Sequence, residues 1–477
     1  MIEPRSFYID GMWRPAIQNP RIELVDPATE DVFEIISDAE QADVEEAVAA
    51  AKAAFSSFSA TPKGQRVALL RRIAEVYDRR KHEISETIIR EIGAPKYLAE
   101  GAHAQGGSLF LRGMADTLES FEFDVAEANT LVMKEPIGVC ALITPWNWPI
   151  NQIVNKVAPA LAAGCTMVLK PSEIAPLTAM VFADMLHEAG VPKGVFNLIN
   201  GYGPRSGAWL AAHPDIDMVS FTGSTRAGTE ISRVAAASIK RVTLELGGKS
   251  ANILLDDADF TTAVPRAVEL CFNNSGQTCN APTRLVVPRS KYDEICALAV
   301  QTAENISVGS PHEESTKLGP VANETQFTKI QQFIEAGTSE GARILTGGPG
   351  RPAGLTKGFY VKPTIFADVQ SSMTIAQQEI FGPVLVVIAY DDDDDAVRIA
   401  NDSPYGLAGD VQSSNVERAR AIARRVRAGT VRINYPPLDR NAPMGGYRMS
   451  GNGRERGVYG LHEYLEIKAI MGFGAGR

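Results

Sequence analysis

Between Val139 and Leu246 the chain alternates between short apolar, β-branched runs and stretches with helical spacing. Strands are expected at Val139–Thr144, Thr166–Leu169, Val195–Ile199, Met218–Phe221 and Arg241–Leu246. The stretches between them read as helices over Ile150–Ala163, Leu177–Ala189, Pro204–Ala212 and Thr225–Ala237. Strands separated by whole helices connect by crossovers rather than hairpins, so the expected product is a parallel sheet covered on both faces. Right-handed crossovers bring the carboxyl ends of its strands to one edge, where open α/β sheets bind their ligands.

Two amphipathic patterns precede this unit: Val44, Ala47, Val48, Ala51 and Phe55, then Leu69, Leu70, Ile73, Val76 and Tyr77. Both have helical spacing, and residues 85–117 continue in the same manner. A second mixed block runs from Ser250 to about Gly446, with Val384–Tyr390 as its clearest strand. The acidic run Asp391–Asp395 opens a helix through Ala400 and reads as favourable charge at a helix N-terminus. Adjacent aspartates cannot all face one ion, so it is not read as a metal site. Ser120–Glu135 has the pattern of a hairpin and Glu463–Met471 that of a further strand. Strands outside the main units need partners, and pairing between subunits is the usual remedy. A homodimer or homotetramer is expected.

The 477 residues carry 47 Lys plus Arg against 57 Asp plus Glu, a formal charge of −10. Such a balance argues against a nucleic acid or an anionic membrane as partner, since both require basic patches. Met1–Pro15 lacks the apolar core of a signal peptide, and no apolar run approaches the roughly 18 residues that span a bilayer. The cysteines are five, scattered and without a Cys-x-x-Cys pair, and the six histidines form no cluster with them. Neither a disulfide framework nor a bound metal is expected, and the compartment read from this is a reducing cytoplasm.

Several motifs fall at the carboxyl ends of the expected strands. Gly201-Tyr-Gly203-Pro-Arg-Ser-Gly207 and Phe221-Thr-Gly223-Ser224 each join a strand to a helix through a glycine turn. Helix N-termini present free amides and partial positive charge to a phosphate, although each turn alone is equally plain turn chemistry. Lys170-Pro-Ser172-Glu173 stands where a ribose would lie; it reads as a ribose carboxylate or as a surface ion pair. Glu245-Leu246-Gly247-Gly-Lys249 would aim a carboxylate into the cleft, as a general base or as a cation's partner. Thr144-Pro-Trp146-Asn147-Trp-Pro149 makes a stiff turn that could hold the Asn147 amide as an oxyanion donor, or serve the turn alone. Cys140, Cys165 and Cys296 lie in apolar surroundings and read as packing residues. Cys279, within Asn273-Asn-Ser-Gly-Gln-Thr-Cys279-Asn280, has small polar neighbours that leave a thiol reachable, as a nucleophile requires.

These motifs, with Glu379-Ile-Phe381-Gly-Pro-Val384 and Pro443-Met-Gly-Gly-Tyr-Arg-Met-Ser-Gly-Asn-Gly-Arg-Glu455, stand in the order in which they occur in the aldehyde dehydrogenase superfamily. The chain resembles that superfamily over nearly its whole length. The resemblance implies an α/β fold: a Rossmann-type NAD-binding domain (1–117 and 137–247), an α/β catalytic domain (248–447) and a small β oligomerisation domain (118–136 and 461–477). It implies Cys279 as nucleophile, Glu245 as general base, and Asn147 with the Cys279 amide as oxyanion hole. Lys170, Ser172 and Glu173 would hold the adenosine ribose, and Gly223 and Ser224 the pyrophosphate. Thr144, Trp146, Gly203, Gly207, Phe221, Leu246 and Gly247 would line the dinucleotide cleft, Glu379 the nicotinamide ribose, and Phe381 the ring. Glu173 favours NAD, with NADP also possible.

The implied reaction is oxidation of an aldehyde to its acid through thiohemiacetal and thioester intermediates. Glu245 favours hydrolysis over transfer to coenzyme A, which remains the alternative together with a cofactor-independent thiol hydrolase. Pocket positions implied are Trp148, Gln152, Asn155, Lys156, Thr278, Asn280 and the loop Tyr435–Met444. Asn280-Ala-Pro-Thr283 is similar to members that act on semialdehydes and ω-oxo acids, whose distal carboxylate Lys156 or Arg440 would bind. Ordinary surface or salt-bridged cations are the competing reading for both.

Overall fold

The computed structural model describes residues 7–15 and 20–474. The outermost parts of the expected first and third domains (1–6, 16–19 and 475–477) lie outside the described residues.

The five expected strands form the parallel centre of an eight-stranded sheet, in the spatial order Arg241–Glu245, Met218–Thr222, Val139–Ile143, Thr166–Lys170, Phe196–Leu198. The N-terminal hairpin Phe7–Ile9 and Met12–Arg14 extends one edge antiparallel, and Gly451–Asn452 closes the other. Every residue of Val139–Ile143, Thr166–Lys170 and Met218–Thr222 is buried, which is why these strands read as continuous apolar runs. Successive side chains serve opposite cores. Cys140, Leu142, Met167 and Leu169 pack on one face, whereas Val139, Ala141, Ile143 and Val168 pack on the other. The chain leaves Val139–Ile143 in one direction for two strands and then crosses back to Met218–Thr222. That reversal places the topological switch point between Val139–Ile143 and Met218–Thr222, where such sheets open a crevice.

The helix Gln41–Ser59 buries Val44, Ala47, Val48 and Ala51, as its spacing predicts. Lys63–Ile92 follows and ends at Gly93, in left-handed backbone at φ +66°. The helical expectation over 85–117 requires one correction. Pro95 cannot continue the helix, and the chain restarts at Lys96, passes a π-helical turn at Ala99–Ala104 and resumes as Gln105–Ser120. The C-terminal strand begins at Leu465, because Glu463 still belongs to the helix Gly457–Glu463.

A second, seven-stranded sheet runs Arg343–Thr346, Thr364–Ala367, Val384–Tyr390, Arg284–Pro288, Ala251–Leu254, Ala408–Gln412, Thr430–Ile433, with only the first strand antiparallel. Asp392 caps the helix Asp393–Asn401 through its side chain, which accounts for the acidic run. The expected hairpin is Asp124–Glu127 and Thr130–Pro136, and Leu465–Met471 pairs with it antiparallel from Leu465 opposite Pro136 to Met471 opposite Thr130. Among the described residues no helix is long and apolar enough to cross a membrane.

Arg284 ties a central strand of the second sheet to the helix Asp393–Asn401 that packs against it. It is 1% exposed, yet no carboxylate binds it; its guanidinium donates to the carbonyls of Lys249 (2.9 Å), Ile399 (2.8 Å) and Ala400 (2.7 Å). Two of these belong to the C-terminal turn of Asp393–Asn401, where the helix dipole favours a cation. Arg284→Met would leave buried carbonyls without donors, so a loss of about 3 kcal/mol or more in unfolding free energy is expected. Denaturant titration of the variant against the wild type measures it.

Candidate active site

Cys279 is delivered by an unusual stretch of backbone. After the helix Phe260–Phe272, Asn274, Ser275 and Gly276 take successive left-handed conformations at φ +54°, +56° and +73°. A Cβ at Gly276 would stand 2.1 Å from the Gly382 carbonyl, so only glycine fits. Side chains hold the loop in this shape. The Asn274 amide donates to the Asn147 carbonyl (2.7 Å), and the Asn147 amide donates to the Gln277 carbonyl (2.9 Å). Gln277 closes the set by donating to the Asn274 carbonyl and accepting from the Ala322 N–H. Asn147 uses one amide proton in this clamp and retains the other for a ligand. Trp148 donates to the Thr278 hydroxyl (3.1 Å) and is itself stacked on His103, with ring centroids 4.0 Å apart.

Two cavities meet at the Cys279 thiol. The smaller, of about 160 Å³, is walled by Trp146, Asn147, Glu245 and Leu246 and closed by Gly247, Glu379 and Phe381. Gly223 and Ser224 open into it at the start of the helix Thr225–Ala235, with Ser224 as N-cap accepting from the Ala227 N–H. Trp146 and Phe381 meet edge to face at 5.4 Å. Glu379 accepts from the Gly248 N–H (3.0 Å), and a Cβ on Gly247 would lie 2.5 Å from its carboxylate. Thr222, Gln326 and Lys329 also line this cavity. Thr222 lies within the Phe221–Ser224 turn already singled out, whereas Gln326 and Lys329 come from a helix remote in sequence and carry no signal.

The other residues expected to touch a dinucleotide lie along the same sheet edge but outside this cavity. Lys170 is buried and pairs with Glu173 at 3.2 Å, and a side chain on Gly207 would touch Lys170. Gly203 and Gly207 bound a single π-helical turn, and the Ser172 hydroxyl accepts from the Ile174 N–H within the Lys170–Glu173 turn. Phe221 packs beneath Gly223, and Thr144 is buried with a hydroxyl that has no hydrogen-bond partner. Thr222 shares that condition.

The second cavity, of about 310 Å³, is lined by Trp148, Gln152, Asn155, Thr278, Asn280 and Met444, all expected pocket positions, and by Arg440 at the rim. Lys156 is different and corrects the expectation. It is 1% exposed, donates to Glu455 (2.6 Å) and Ser220 (3.2 Å), and is absent from the cavity wall. Its place on a fully buried helix face turns it toward the sheet instead of the substrate side. Arg456, by contrast, does line the cavity and was given no role by the sequence. Its only signal is a third charged residue in Arg454-Glu455-Arg456.

The electrostatics are set by burial. The Cys279 thiol is pushed up to about 12 by burial and by Glu379, Glu245 and Glu455, while Arg456 opposes them. Burial and the nearby Glu455 push Glu245 well above the usual carboxylate range. Both Glu245 oxygens lack hydrogen-bond partners, and a Cβ on Gly445 would lie 2.7 Å from one of them. An orphaned carboxyl in the same cavity wall as a thiol can take a proton from a donor brought into that cavity. None of the six histidines lines either cavity, which removes the partner a thiol hydrolase would use.

The sequence from residue 13 to 470 matches the model of the aldehyde dehydrogenase family. A Pseudomonas 3-succinoylsemialdehyde-pyridine dehydrogenase is 51% identical over 474 residues, covering 99% of each chain. Aldehyde dehydrogenase C of Pseudomonas syringae, solved as a cysteine-to-alanine variant with NAD+ and octanal, superposes with a TM-score of 0.98 at 53% identity, over 99% of this chain and 98% of that one. A Mycobacterium tuberculosis aldehyde dehydrogenase solved with NAD+ superposes at 0.96 with 40% identity, over 98% of each chain. With the nucleophile loop, the orphaned carboxyl and the paired cavities already in place, these matches show that the chain belongs to the aldehyde dehydrogenase family.

Proposed function

We propose that the protein oxidises an aldehyde to the carboxylic acid with NAD, using Cys279 as nucleophile, Asn147 as oxyanion donor and Glu245 as base. The observation that carries this reading is the position of Cys279 at the junction of the two cavities, with the unpartnered Glu245 carboxyl in the wall of the smaller. The residues fit a dinucleotide: a helix N-terminus at Ser224 suits a pyrophosphate, Glu379 and Glu173 suit ribose hydroxyls, and Trp146 with Phe381 suits an aromatic ring. Buried hydroxyls of Thr144 and Thr222 without partners mark the same edge as a polar ligand's seat.

Attack of the Cys279 sulfur on the aldehyde carbon forms a C–S bond and places negative charge on the carbonyl oxygen. The free Asn147 amide proton and the Cys279 backbone amide stabilise that charge. NAD, when bound, supplies the acceptor for the hydride lost from the tetrahedral carbon. Glu245 then takes a proton from water, the resulting hydroxide adds to the thioester, and the carboxylic acid leaves as the C–S bond breaks. The thiol proton is released to solvent as the C–S bond forms, which leaves the Glu245 carboxylate free to act on the water.

The division into cofactor, catalytic and oligomerisation units is supported by the three larger sheets. The edge strand Leu465–Met471 leaves Ile467 71% and Met471 84% exposed, which supports assembly through this sheet. The five unpaired cysteines suit a reducing, cytoplasmic compartment.

Three outcomes test this reading. Cys279→Ala is expected to lower NADH formation about a thousandfold or more, whereas Glu245→Gln should lose about a hundredfold in steady state yet give a burst near one NADH per subunit. Stopped-flow absorbance separates the two. Because the Glu245 carboxyl is raised, its base form is lost at a higher pH than an ordinary carboxylate's. The acid limb of kcat should therefore fall well above pH 4.5, and its position should move in Glu245→Asp. Light scattering after size exclusion should give a multiple of 51.3 kDa for the wild type and a smaller species for Ile467→Glu.

A further inference from the structure

The larger cavity at Cys279 has an unusual charge balance for a chain of net −10: three arginines line it, and no aspartate or glutamate does among the described residues. The three differ in availability. Arg432 is bound to Asp410 at 2.7 Å, and Arg440 stands exposed at the rim. Arg456 is partly buried and carries no ion pair among the described residues, and its charge bears on Cys279, Glu245 and Glu455.

Among the described residues no side chain forms an ion pair or hydrogen bond with Arg456, although Glu455 and Glu245 lie near enough to attract its charge. Its neighbour Glu455 is already taken by Lys156, and the enclosed Arg456 Nε has no hydrogen-bond partner. The guanidinium rests over the Phe110 ring at 5.0 Å, which fixes its plane but supplies no acceptor. Its backbone sits at φ +74° and ψ 152°, a region that only glycine enters without strain. The conformation is locked from both sides. Glu455 and Met444 exchange backbone hydrogen bonds (2.8 and 3.0 Å), and a Cβ on the following Gly457 would lie 2.5 Å from the Asn441 carbonyl. A strained backbone that holds a guanidinium with no hydrogen-bonded carboxylate in the wall of a ligand cavity suits an anion brought in from outside.

We propose that Arg456 is a specificity-determining residue that binds a carboxylate at the far end of the aldehyde substrate, so that the preferred substrates are ω-oxo acids. The inference rests on the aldehyde-oxidising reading of Cys279. It moves the anion-binding role from Lys156, which is internally neutralised, to a side chain that faces the cavity. The planar guanidinium suits a carboxylate through two parallel hydrogen bonds, and Arg440 at the rim adds attraction for the entering anion.

The test compares hexanal with 6-oxohexanoate, which differ only in the distal group, at saturating NAD in the wild type, Arg456→Leu and Arg456→Lys. Expected is a wild-type kcat/KM ratio of about 10- to 100-fold in favour of the oxo acid, expressed mainly in KM. Arg456→Leu should bring that ratio to about one or below, and Arg456→Lys should restore part of it. A wild type that turns over hexanal with no preference for the carboxylate overturns the inference and leaves aldehyde oxidation standing. Equal losses on both substrates in Arg456→Leu, with no rescue by lysine, also overturn it and make Arg456 a residue that tunes the thiol. A wild type that forms NADH from neither compound, nor from other aldehydes, overturns the underlying reading as well.

Discussion

The hydrogen-bonded clamp between Asn147 and the loop Asn274–Gln277 is the contact on which the rest of the site depends. Asn147 lies in the turn that follows the strand Val139–Ile143 of the first sheet, whereas Gln277 and Cys279 belong to the block that forms the second. Each side satisfies the other's buried polar groups: one amide proton of Asn147 is spent on the loop, and the loop's Asn274 returns a donor to the Asn147 backbone. Left-handed backbone over Asn274, Ser275 and Gly276 would not persist without such fixing. Because the clamp crosses between the two sheets, it sets the thiol where the smaller and the larger cavity meet. One amide proton of Asn147 remains free beside that junction.

Charge is arranged around this centre in an unequal way. On the crevice side Glu245 and Glu379 crowd the thiol, and burial lifts all three toward their protonated forms. Among the described residues the wall of the larger cavity is free of carboxylates and carries guanidinium groups. Lys156 and Glu455 pair with each other, and the Glu455 charge still bears on Cys279 and Glu245.

Much of the frame was legible from residues alone. The alternation from Val139 to Leu246 yielded the parallel sheet, since fully buried strands must read as apolar runs and helices between them force crossovers. The polar, glycine-containing surroundings of Cys279 distinguished it from four cysteines that the structure buries. The π-helical turn at Ala99–Ala104 was not legible, because its spacing differs from that of an α-helix by one residue in a short stretch. Lys156 misled for a related reason: a lysine on an apolar helix has no sequence mark that separates a substrate cation from one neutralised by a glutamate 299 positions away.

By itself, then, the sequence determined the order of elements, the sheet class and the identity of the reactive thiol. These follow from periodicity, from burial on both faces and from local backbone chemistry, all of which are short-range properties. Only the tertiary structure decided which charges remain available. Arg284, Lys156, Arg432 and Arg456 carry no mark in the sequence that tells their fates apart. The first is spent on helix carbonyls, the second and third on Glu455 and Asp410, and Arg456 alone is left facing a ligand cavity. Pairing of buried charge is a long-range matter, settled when remote segments pack and desolvate one another.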